Sequence, residues 1–538
     1  AFRGYGQFLG SLEKIEEIFR KMETHGANFA RIWAGAGDWA LAVEWNKSAW
    51  SRTWYRSSPV VKAPGLKGKR CVRIEKGYRL NPCAKVCLKP NCSYRFGCTY
   101  KTSEQTSLRV RINGRIFDLE ASSKWAEWKT DFESRPNEWF LENMSFEPIG
   151  KGIVYLEEIS LKELPDGPEL LEEANVNRPE MGFYNLRDSF LLDKVLETAQ
   201  SRGLYLQICL LSNPSRDLYM KRLKKPGTPE YREAINYAKR IFRYAVARWG
   251  AYRSCGIWEF FNEMNPSLPT DLFYSEVGKY IKELDIYGRP LTTSAWRSNP
   301  RDWRHPVLDI AQEHYYIRPD GKGEKGKDEV SVLLDRIAFL RRETLGSKPV
   351  MLGEFGLATK RWGRSPLMRK DKKLYHFHNA LWGSVFSGAA GSALFWWWQA
   401  LDRMNAYPHY KPLSEFIKGI PFTGAGLKSF VGGTSNPRVK ILGLRASSCA
   451  YFWLYNTEGT WYSRLVQEKE TRTIKDCKVK LSGLSPGTYR IVWWDTWQGK
   501  EIQKGKIQVD KAPFMIGVPE FTNDIAFKIE TLRNLSPK

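Results

Sequence analysis

Apolar residues recur first at helical spacing and then in short unbroken runs along most of the chain. The first helix has apolar positions at Leu12, Ile15, Ile18, Phe19 and Met22, and an apolar strand at residues 27–33 follows it. Further strands, each led by a helix or a short connection, are predicted at 204–211, 256–261, 291–294, 310–316, 349–354 and 392–398. Helices that alternate with nearly all-apolar strands predict an α/β fold with a parallel sheet, and about eight such strands predict a closed (β/α)8 TIM barrel.

Two segments are strand-like without a helical period, and the first of them alternates between apolar and polar residues, which is the period of a half-buried strand. The first contains stretches 107–112 and 153–159, and the second contains 450–456 and 489–495. We therefore predict a barrel at 1–45 and 166–425, an inserted β-sandwich at 46–165 and a C-terminal β-sandwich at 426–538. The insertion resembles jelly-roll carbohydrate-binding modules, and the C-terminal segment resembles accessory domains that pack against barrel glycosidases.

Charge and aromatic content narrow the range of partners. The 538 residues include 84 Lys and Arg against 59 Asp and Glu, a formal net charge of +25. These charges are dispersed in short stretches without zinc-finger or RNA-recognition spacing, so no nucleic-acid partner is expected. The 22 Trp and 25 Tyr exceed the needs of a core, and aromatic faces stack on sugar rings, which indicates a carbohydrate partner. No apolar run approaches the roughly 20 residues of a membrane span, so none is expected.

Five of the nine cysteines fall in one short region: Cys71, Cys83, Cys87, Cys92 and Cys98. Disulfides or a metal site could explain the cluster, and the absence of a nearby His and of a C-x2-C spacing favours disulfides of undefined pairing. Cys449 and Cys477 form another candidate pair. Cys209 and Cys255 lie in apolar strands and are expected to be buried thiols.

Several weak signals favour a secreted, extracellular protein. They are the cysteine cluster and the sequons at Asn46, Asn91 and Asn143. The chain opens at Ala1 with neither an initiator Met nor an apolar leader, so we expect any export signal to have been removed. The abundance of Lys, Arg and Glu is compatible with a thermostable protein. The sequence defines no oligomeric state.

Two glutamates end apolar strands and are the best candidates for chemistry. Glu263 follows the run 257–262, and Glu354 follows 350–353. The C-terminal ends of barrel strands form the active site, so the two carboxyl groups are expected at one edge. Such a pair is what cleaves glycosidic bonds. A carboxylate in this region could instead be structural, and that is our interpretation of Glu259.

The motifs around these glutamates resemble glycoside hydrolase clan A, nearest to family five. Asn262-Glu263 resembles the clan's fourth-strand motif, and residues 353–356 resemble its seventh-strand motif. Further matches, to the second, sixth and eighth strands, are Arg31, His314 with Tyr316, and Trp398. The third strand departs from family five because Cys209 and its neighbours stand where a histidine is usual.

The resemblance implies a retaining mechanism, with Glu354 as nucleophile and Glu263 as acid and base. It also implies supporting roles: Arg31 and Tyr316 beside Glu354, His314 beside Glu263, Asn262 on the sugar 2-hydroxyl, and Trp396 and Trp398 in the sugar-binding cleft. No metal or other cofactor is required. An endo-β-1,4-glucanase of the cellulase type is the first expectation for the substrate, and an endo-β-mannanase or an exo-acting glycosidase is the alternative. A carbohydrate-binding protein that has lost activity is the alternative of another class.

Overall fold

A computed structural model describes the central parts of the chain. The described residues are 12–35, 43, 59–80, 86–138, 140–141, 143–167, 169–171, 176–177, 184–211, 215–319 and 326–532. Helix α1 (Leu12–Thr24) and strand β1 (Phe29–Trp33) open this set in the order that the sequence predicts. No helix within the described residues is both long and apolar enough to cross a membrane.

Antiparallel sheets follow. Their strands are β2 (Val60–Lys62), β3 (Arg70–Glu75), β4 (Val86–Cys87), β5 (Ser93–Thr102), β6 (Thr106–Ile112), β7 (Arg115–Leu119), β8 (Ala126–Glu133), β9 (Phe140–Leu141), β10 (Ser145–Gly150) and β11 (Ile153–Glu163). One sheet has the order β2-β3-β11-β5-β8, another has the order β10-β6-β7, and β4 pairs with β9. Apolar residues of the two larger sheets, such as Phe96 and Phe146, share one core. The alternation at 107–112 and 153–159 therefore marks real strands, while the outer bounds of this segment remain a prediction.

Helices and parallel strands then alternate. The strands are β12 (Tyr205–Leu211), β13 (Cys255–Phe261), β14 (Leu291–Thr292), β15 (Ala311–Ile317) and β16 (Val350–Leu357). The helices are α2 (Leu186–Ser201), α3 (Ser215–Arg222), α4 (Pro229–Trp249), α5 (Asp271–Leu284), α6 (Pro300–Arg304), α7 (Glu329–Glu343), α8 (Leu367–Lys370), α9 (Tyr375–Phe386), α10 (Trp398–Arg403) and α11 (Tyr410–Ile417). Apart from the last predicted strand, the parallel strands match the predicted ones to within a few residues.

The strand predicted at 392–398 is the exception. The described backbone forms only a parallel bridge between Phe395 and Phe355 there, and Trp398 already begins helix α10. The parallel ladders run β1-β12-β13-β14 and β15-β16. Among the described residues these ladders do not join into a ring, so the alternation of strands and helices is established and closure of the barrel remains a prediction.

The strands of the C-terminal part are antiparallel. They are β17 (Lys428–Gly432), β18 (Val439–Arg445), β19 (Cys449–Asn456), β20 (Lys478–Leu481), β21 (Gly487–Asp495), β22 (Lys500–Val509), β23 (Phe514–Gly517) and β24 (Asp524–Thr531). Six of them form one sheet in the order β17-β18-β19-β24-β21-β22, which we call the C-terminal sheet, and β20 pairs with β23 in a separate sheet. The C-terminal sheet is buried on both faces where it meets the helices. Along β19, Phe452 and Leu454 face the sheet's own core, whereas Tyr451 and Trp453 pack in a core with residues of α7 and α9, such as Leu381. This alternation explains the apolar run at 450–456.

A cluster of buried polar groups joins this sheet to the helices; we call it the interface cluster. Asp524 of β24 lies at its centre, with Oδ2 3.0 Å from Nε2 of His378 on α9. The indole nitrogens of Trp453 and Trp497 donate to the same carboxylate at 2.8 and 2.5 Å. His409 Nδ1 lies 3.3 Å from His378 Nδ1. The C-terminal sheet therefore packs against the barrel helices, the role that the sequence predicts.

The disulfide prediction is wrong for the cysteines that can be examined. Cys71, Cys92 and Cys98 are free thiols, and so are Cys449 and Cys477. Cys71 on β3 and Cys98 on β5 are separated by β11, which sets them about 10 Å apart, beyond the reach of a disulfide. Cys83 and the Cys87 side chain lie outside the described residues. Two further cysteines, Cys209 and Cys255, are buried free thiols, as predicted.

Candidate active site

Arg31 is the centre of a buried charge cluster at the end of β1. It is 0% exposed, and its Nε and Nη2 donate to the two carboxylate oxygens of Glu259 at 2.6 and 2.8 Å. Its Nη1 donates to Glu354 Oε1 at 2.7 Å, and Nη2 also donates to Asn262 Oδ1 at 2.8 Å. One guanidinium thus positions three groups of neighbouring strand ends, and bidentate pairing fixes its plane.

Glu259 is fully buried on β13 and contacts Arg31 on the side away from Glu354. Besides Arg31, it accepts hydrogen bonds from Gln207 Nε2 at 2.8 Å, Gln312 Nε2 at 2.9 Å and Ser294 Oγ at 3.1 Å. Burial alone would raise the pKa of Glu259, but Arg31, followed by His314 and Gln207, holds it below its usual value. Glu259 is therefore a structural carboxylate, as predicted, and it orients the arginine that touches Glu354.

Glu263 and Glu354 differ in their access to solvent. The Glu354 side chain is 3% exposed, whereas that of Glu263 is 29% exposed. The buried carboxylate of Glu354 is paired with Arg31 at 2.7 Å, which holds it in one orientation. The more open Glu263 can meet a departing group and an incoming water molecule. This asymmetry fits an ionised nucleophile and a separate proton donor.

His314 and Tyr316, both on β15, connect the two glutamates. His314 Nδ1 lies 3.3 Å from Glu263 Oε1 and 3.5 Å from Glu354 Oε2. The Tyr316 hydroxyl donates to Glu354 Oε2. Burial, followed by the charges of Glu354 and Glu263, raises the pKa of Tyr316 well above its usual value, so the hydroxyl stays a donor.

The separation of the carboxyl groups bears on the stereochemical outcome. Ligand atoms of Glu263, His314 and Glu354 all lie within 4.8 Å of one another. Retaining glycosidases hold their carboxyl groups about 5–5.5 Å apart, and inverting ones hold them about 6.5–9.5 Å apart to admit water between. The geometry therefore matches retention. These three side chains could also surround a cation, although hydrolysis by paired carboxyl groups requires none.

Local backbone features set the two glutamates in place. Glu263 has a φ of 54°, in the left-handed region that non-glycine residues rarely occupy and that is enriched at functional sites. Its N–H donates to Ser294 Oγ at 3.0 Å, which helps to hold this conformation. Gly353 precedes Glu354, and a Cβ there would lie 2.1 Å from Gln312 Oε1. Only glycine therefore leaves room for the amide that supports Glu259.

The three consecutive tryptophans after β16 have separate surroundings. Trp396 packs against Trp33 at 5.2 Å between ring centroids, beside Cys209. Trp397 lies 5.3 Å from the Tyr316 ring. Trp398, predicted as the floor of the sugar site, packs against the core of the first barrel units and lines a cavity beside α1. Its selection as a sugar platform thus remains a prediction, and Trp397 is the one in contact with Tyr316.

Sequence reasoning selected six residues that the structure brings together by hydrogen bonds or close polar contacts: Arg31, Asn262, Glu263, His314, Tyr316 and Glu354. It missed the supporting amides Gln207 and Gln312, which are 0% exposed. Both are polar residues within apolar strands, and a buried polar residue needs partners. That signal could have found them.

Comparison of sequences identifies no relative. No family model matches the chain, and no curated protein matches it either. The search of solved structures, in contrast, returns many similar chains.

Three of these solved structures illustrate the likeness. A glycoside hydrolase of family 5 from Bacteroides vulgatus is 13% identical, with 70% of this chain and 80% of that chain covered and a TM-score of 0.46. A family 30 endoxylanase from Clostridium papyrosolvens is 15% identical, with 64% and 84% covered and a TM-score of 0.36. A family 39 glycoside hydrolase from the gut symbiont Bacteroides cellulosilyticus is 12% identical, with 83% and 96% covered and a TM-score of 0.38.

These structural neighbours are glycoside hydrolases of clan A, the clan that the sequence motifs resemble. Because the overlays are loose and the identities low, the geometry of the site is what supports the function proposed below.

Proposed function

We propose that the protein is a retaining glycosidase that hydrolyses β-linked sugar polymers through Glu354 and Glu263. The observation that carries this proposal is the carboxyl pair itself: its atoms approach within 4.8 Å, with one member buried on an arginine and the other open to solvent. Such a pair can form and then hydrolyse a covalent glycosyl intermediate.

In the first step Glu354 attacks the anomeric carbon while Glu263 protonates the departing glycosidic oxygen. Arg31 donates to one carboxylate oxygen of Glu354 and the Tyr316 hydroxyl donates to the other, so the two side chains hold the carboxylate in position for the attack. Arg31 can only donate, so Asn262 must accept through Oδ1. The Asn262 amide nitrogen is then available to donate to the sugar 2-hydroxyl, a contact that strengthens at the transition state.

In the second step Glu263, now a carboxylate, takes a proton from water as the water oxygen attacks the same carbon, and the bond to Glu354 breaks to release its carboxylate. His314 lies within 3.5 Å of both carboxylates and can donate to Glu263 after it has lost its proton. Two displacements at one carbon return the original anomeric configuration. The expected product is therefore the β-anomer.

A β-1,4-glucan is the proposed first substrate, with β-mannan second, and endo action is proposed before exo action. The aromatic content of the chain supports a carbohydrate polymer in general terms. We also propose that the protein works outside the cell, where such polymers occur, and the sequons support this. The free thiols at Cys71, Cys92 and Cys98 remove the support that disulfides would have given.

Hydrolysis of soluble β-glucan, glucomannan, mannan and xylan by the whole chain and by Glu354→Ala and Glu263→Ala tests the proposal. We expect one polymer to be cleaved, and both variants to lose activity by several orders of magnitude. Proton NMR of the first-formed product should show the β-anomer. Azide should rescue the variants and give opposite anomers, α for Glu354→Ala and β for Glu263→Ala, because azide replaces a different group in each.

Glu470→Ala is a matched control because Glu470 is an exposed glutamate far along the chain, in the C-terminal part. Its rate should equal that of the unaltered protein. Full activity in Glu354→Ala or Glu263→Ala would show that the altered glutamate is not catalytic. Binding of every polymer without turnover would favour the inactive carbohydrate-binding protein.

A further inference from the structure

Trp362 is a large aromatic residue that is exposed to solvent and has a left-handed backbone conformation. It lies in the turn that follows β16, with a φ of 64° and 60% of its surface exposed. Hydrogen bonds between Thr359 and the backbone nitrogens of Trp362 and Gly363, at 2.9 and 3.1 Å, close the turn. A bulky residue in the left-handed region is a rare outlier, and such outliers concentrate at ligand sites.

The Trp362 ring stands beside the nucleophile's own partner. Its centroid lies 6.4 Å from that of Tyr316, at an interplanar angle of 80°, and Tyr316 donates to Glu354. Arg318 places its guanidinium carbon 4.3 Å from the same ring, which is cation–π contact. The turn is also tied to β15, because Ala358 N–H donates to Ile317 O at 2.8 Å. Trp362 is therefore a supported platform one side chain away from Glu354.

The platform is surrounded by positive charge. The turn 358–366 contains Lys360, Arg361 and Arg364 and no acidic residue. With Arg318 these residues form what we call the basic rim. Burial, followed by the charges of Arg403 and Arg369, lowers the pKa of Arg364. Charges of one sign around a cleft attract ligands of the other sign.

We propose that Trp362 and the basic rim form a substrate subsite beside the catalytic carboxylates, and that this subsite takes a sugar unit carrying a carboxylate, such as a hexuronic acid. This inference rests on the proposed glycosidase function and names its substrate class. The face of Trp362 that Arg318 leaves free stacks on the C–H face of the sugar. The sugar carboxylate is attracted by Lys360 and Arg361. A neutral sugar could stack on the ring but would not use the charges.

Two pairs of polymers that differ mainly in charge test the inference. Carboxymethylcellulose and hydroxyethylcellulose share a β-1,4-glucan chain, and glucuronoxylan and arabinoxylan share a xylan chain. We expect the acidic member of at least one pair to have a KM about fivefold to tenfold lower, or to retard the protein more strongly in affinity gels. Equal KM and equal retardation within both pairs would overturn the acidic preference.

Variants separate stacking from charge. Trp362→Ala should raise KM for the acidic and the neutral member alike by about fivefold to tenfold, and Trp362→Phe should recover part of this loss. The double variant Lys360→Gln with Arg361→Gln should raise KM only for the acidic member. High salt should act like the double variant, because the screening length falls from about 10 Å at 0.1 M to about 3 Å at 1 M.

Matched controls come from the far end of the barrel and from the C-terminal sheet. Tyr287 is 62% exposed and carries Arg289 on its ring at 4.8 Å, yet it lies between α5 and β14, at the opposite end of the strands. Tyr287→Ala should leave KM unchanged. Lys504→Gln with Lys506→Gln removes two exposed charges of β22 and should also have no effect on KM. If these control variants raised KM as much as the subsite variants do, the proposed subsite would be wrong.

Failure of this inference is distinguishable from failure of the proposed function. Aryl β-glycosides that carry a single sugar test the carboxyl pair alone, through comparison of the unaltered protein with Glu354→Ala. Cleavage that depends on Glu354 without preference for an acidic polymer refutes only the subsite. If the protein cleaves neither aryl glycoside nor polymer, the function fails, and the affinity gels still decide whether Trp362 and the basic rim bind the acidic chains.

Discussion

Two of the buried charge clusters within the described residues are organised differently: the interface cluster and the one around Arg31, which we call the active-site cluster. In the interface cluster, the Asp524 carboxylate meets His378, Trp453 and Trp497, and each of these rings is itself enclosed between the C-terminal sheet and the helices. In the active-site cluster, Arg31 turns one edge to the buried Glu259 and another to Glu354, which lies against the cleft. All the members of the interface cluster contact one another or the surrounding core, whereas the active-site cluster includes Glu354, the proposed nucleophile.

This difference separates a structural role from a catalytic one. Burying a charge is unfavourable unless partners surround it, so both clusters must be well satisfied for the chain to fold. Only the active-site cluster fixes the position of a group that touches substrate, the Glu354 carboxylate. Breaking either cluster should therefore destabilise the protein, and only one break should act on the chemistry beyond its effect on folding.

Arg31→Met should have the largest effect. It leaves Glu259 buried without its cation, and breaking a buried pair in this way typically lowers the free energy of unfolding by about 3–5 kcal/mol. Hydrolysis should fall by several orders of magnitude because Glu354 loses the same partner. Urea unfolding and rates on the cleaved polymer measure the two effects.

The double variant Arg31→Met with Glu259→Gln sharpens this prediction. It removes the stranded charge, so most of the stability should return, while hydrolysis should stay lost. Recovery of both would mean that Arg31 serves only to neutralise Glu259.

Asp524→Asn should have the next largest effect. The amide keeps the shape of the side chain but loses the charge that His378 and the two indoles meet, and we expect a loss of about 2–3 kcal/mol in the free energy of unfolding. The kcat of the folded protein should be unchanged. Asp510→Asn, an exposed aspartate after β22, is the control and should be neutral for both measurements. A drop in kcat for Asp524→Asn would show that the clusters communicate.

Acid should weaken the interface cluster through His409. Burial, followed by the neighbouring His378, lowers the pKa of His409 from 6.5 to about 3. The unfolded chain therefore binds one more proton between these values, and folding loses up to about 1.4 kcal/mol per pH unit as the pH falls through that window. His409→Gln should remove this slope, so the variant's stability relative to the unaltered protein should rise as the pH falls from 6.5 towards 3. Parallel pH profiles would contradict it.

The parts of this arrangement that were predictable follow from periodicity and strand ends. Apolar runs preceding Glu263 and Glu354 mark buried parallel strands, and residues at their carboxyl ends must meet at one edge. The structure brings both glutamates together, with His314 within 3.5 Å of each, although β16 continues to Leu357 and Glu354 lies within this strand rather than at its end. Local pattern was sufficient because chain direction alone decides which edge a strand end reaches.

Other features of the fold and the site depend on contacts between elements that are distant in sequence, which the hydrophobic pattern does not reveal. Cysteine spacing suggested disulfides, but Cys71 and Cys98 lie on strands that another strand separates, and strand order is a long-range property. Trp398 matched a motif by position, yet the chain enters helix α10 there, and the ring lies against the core. The sequence marks Gln312 as a polar residue in an apolar strand, but its partner Glu259 depends on how β13 and β15 are placed relative to each other.

The smallest effects should come from single neutral donors, one in each cluster. Gln312→Leu removes a donor to Glu259 at 2.9 Å, and Trp453→Phe removes a donor to Asp524 at 2.8 Å. Each carboxylate keeps its other partners, so each loss should be about 1–2 kcal/mol in the free energy of unfolding. Because Glu259 sets the plane of Arg31, the first variant should also lower kcat about threefold to tenfold, with KM little changed. The second variant, Trp453→Phe, should leave both kcat and KM unchanged. If both variants lost stability equally and kept full kcat, the geometry around Glu354 would be held by Arg31 itself, and Gln312 would be as purely structural as Trp453 at the interface.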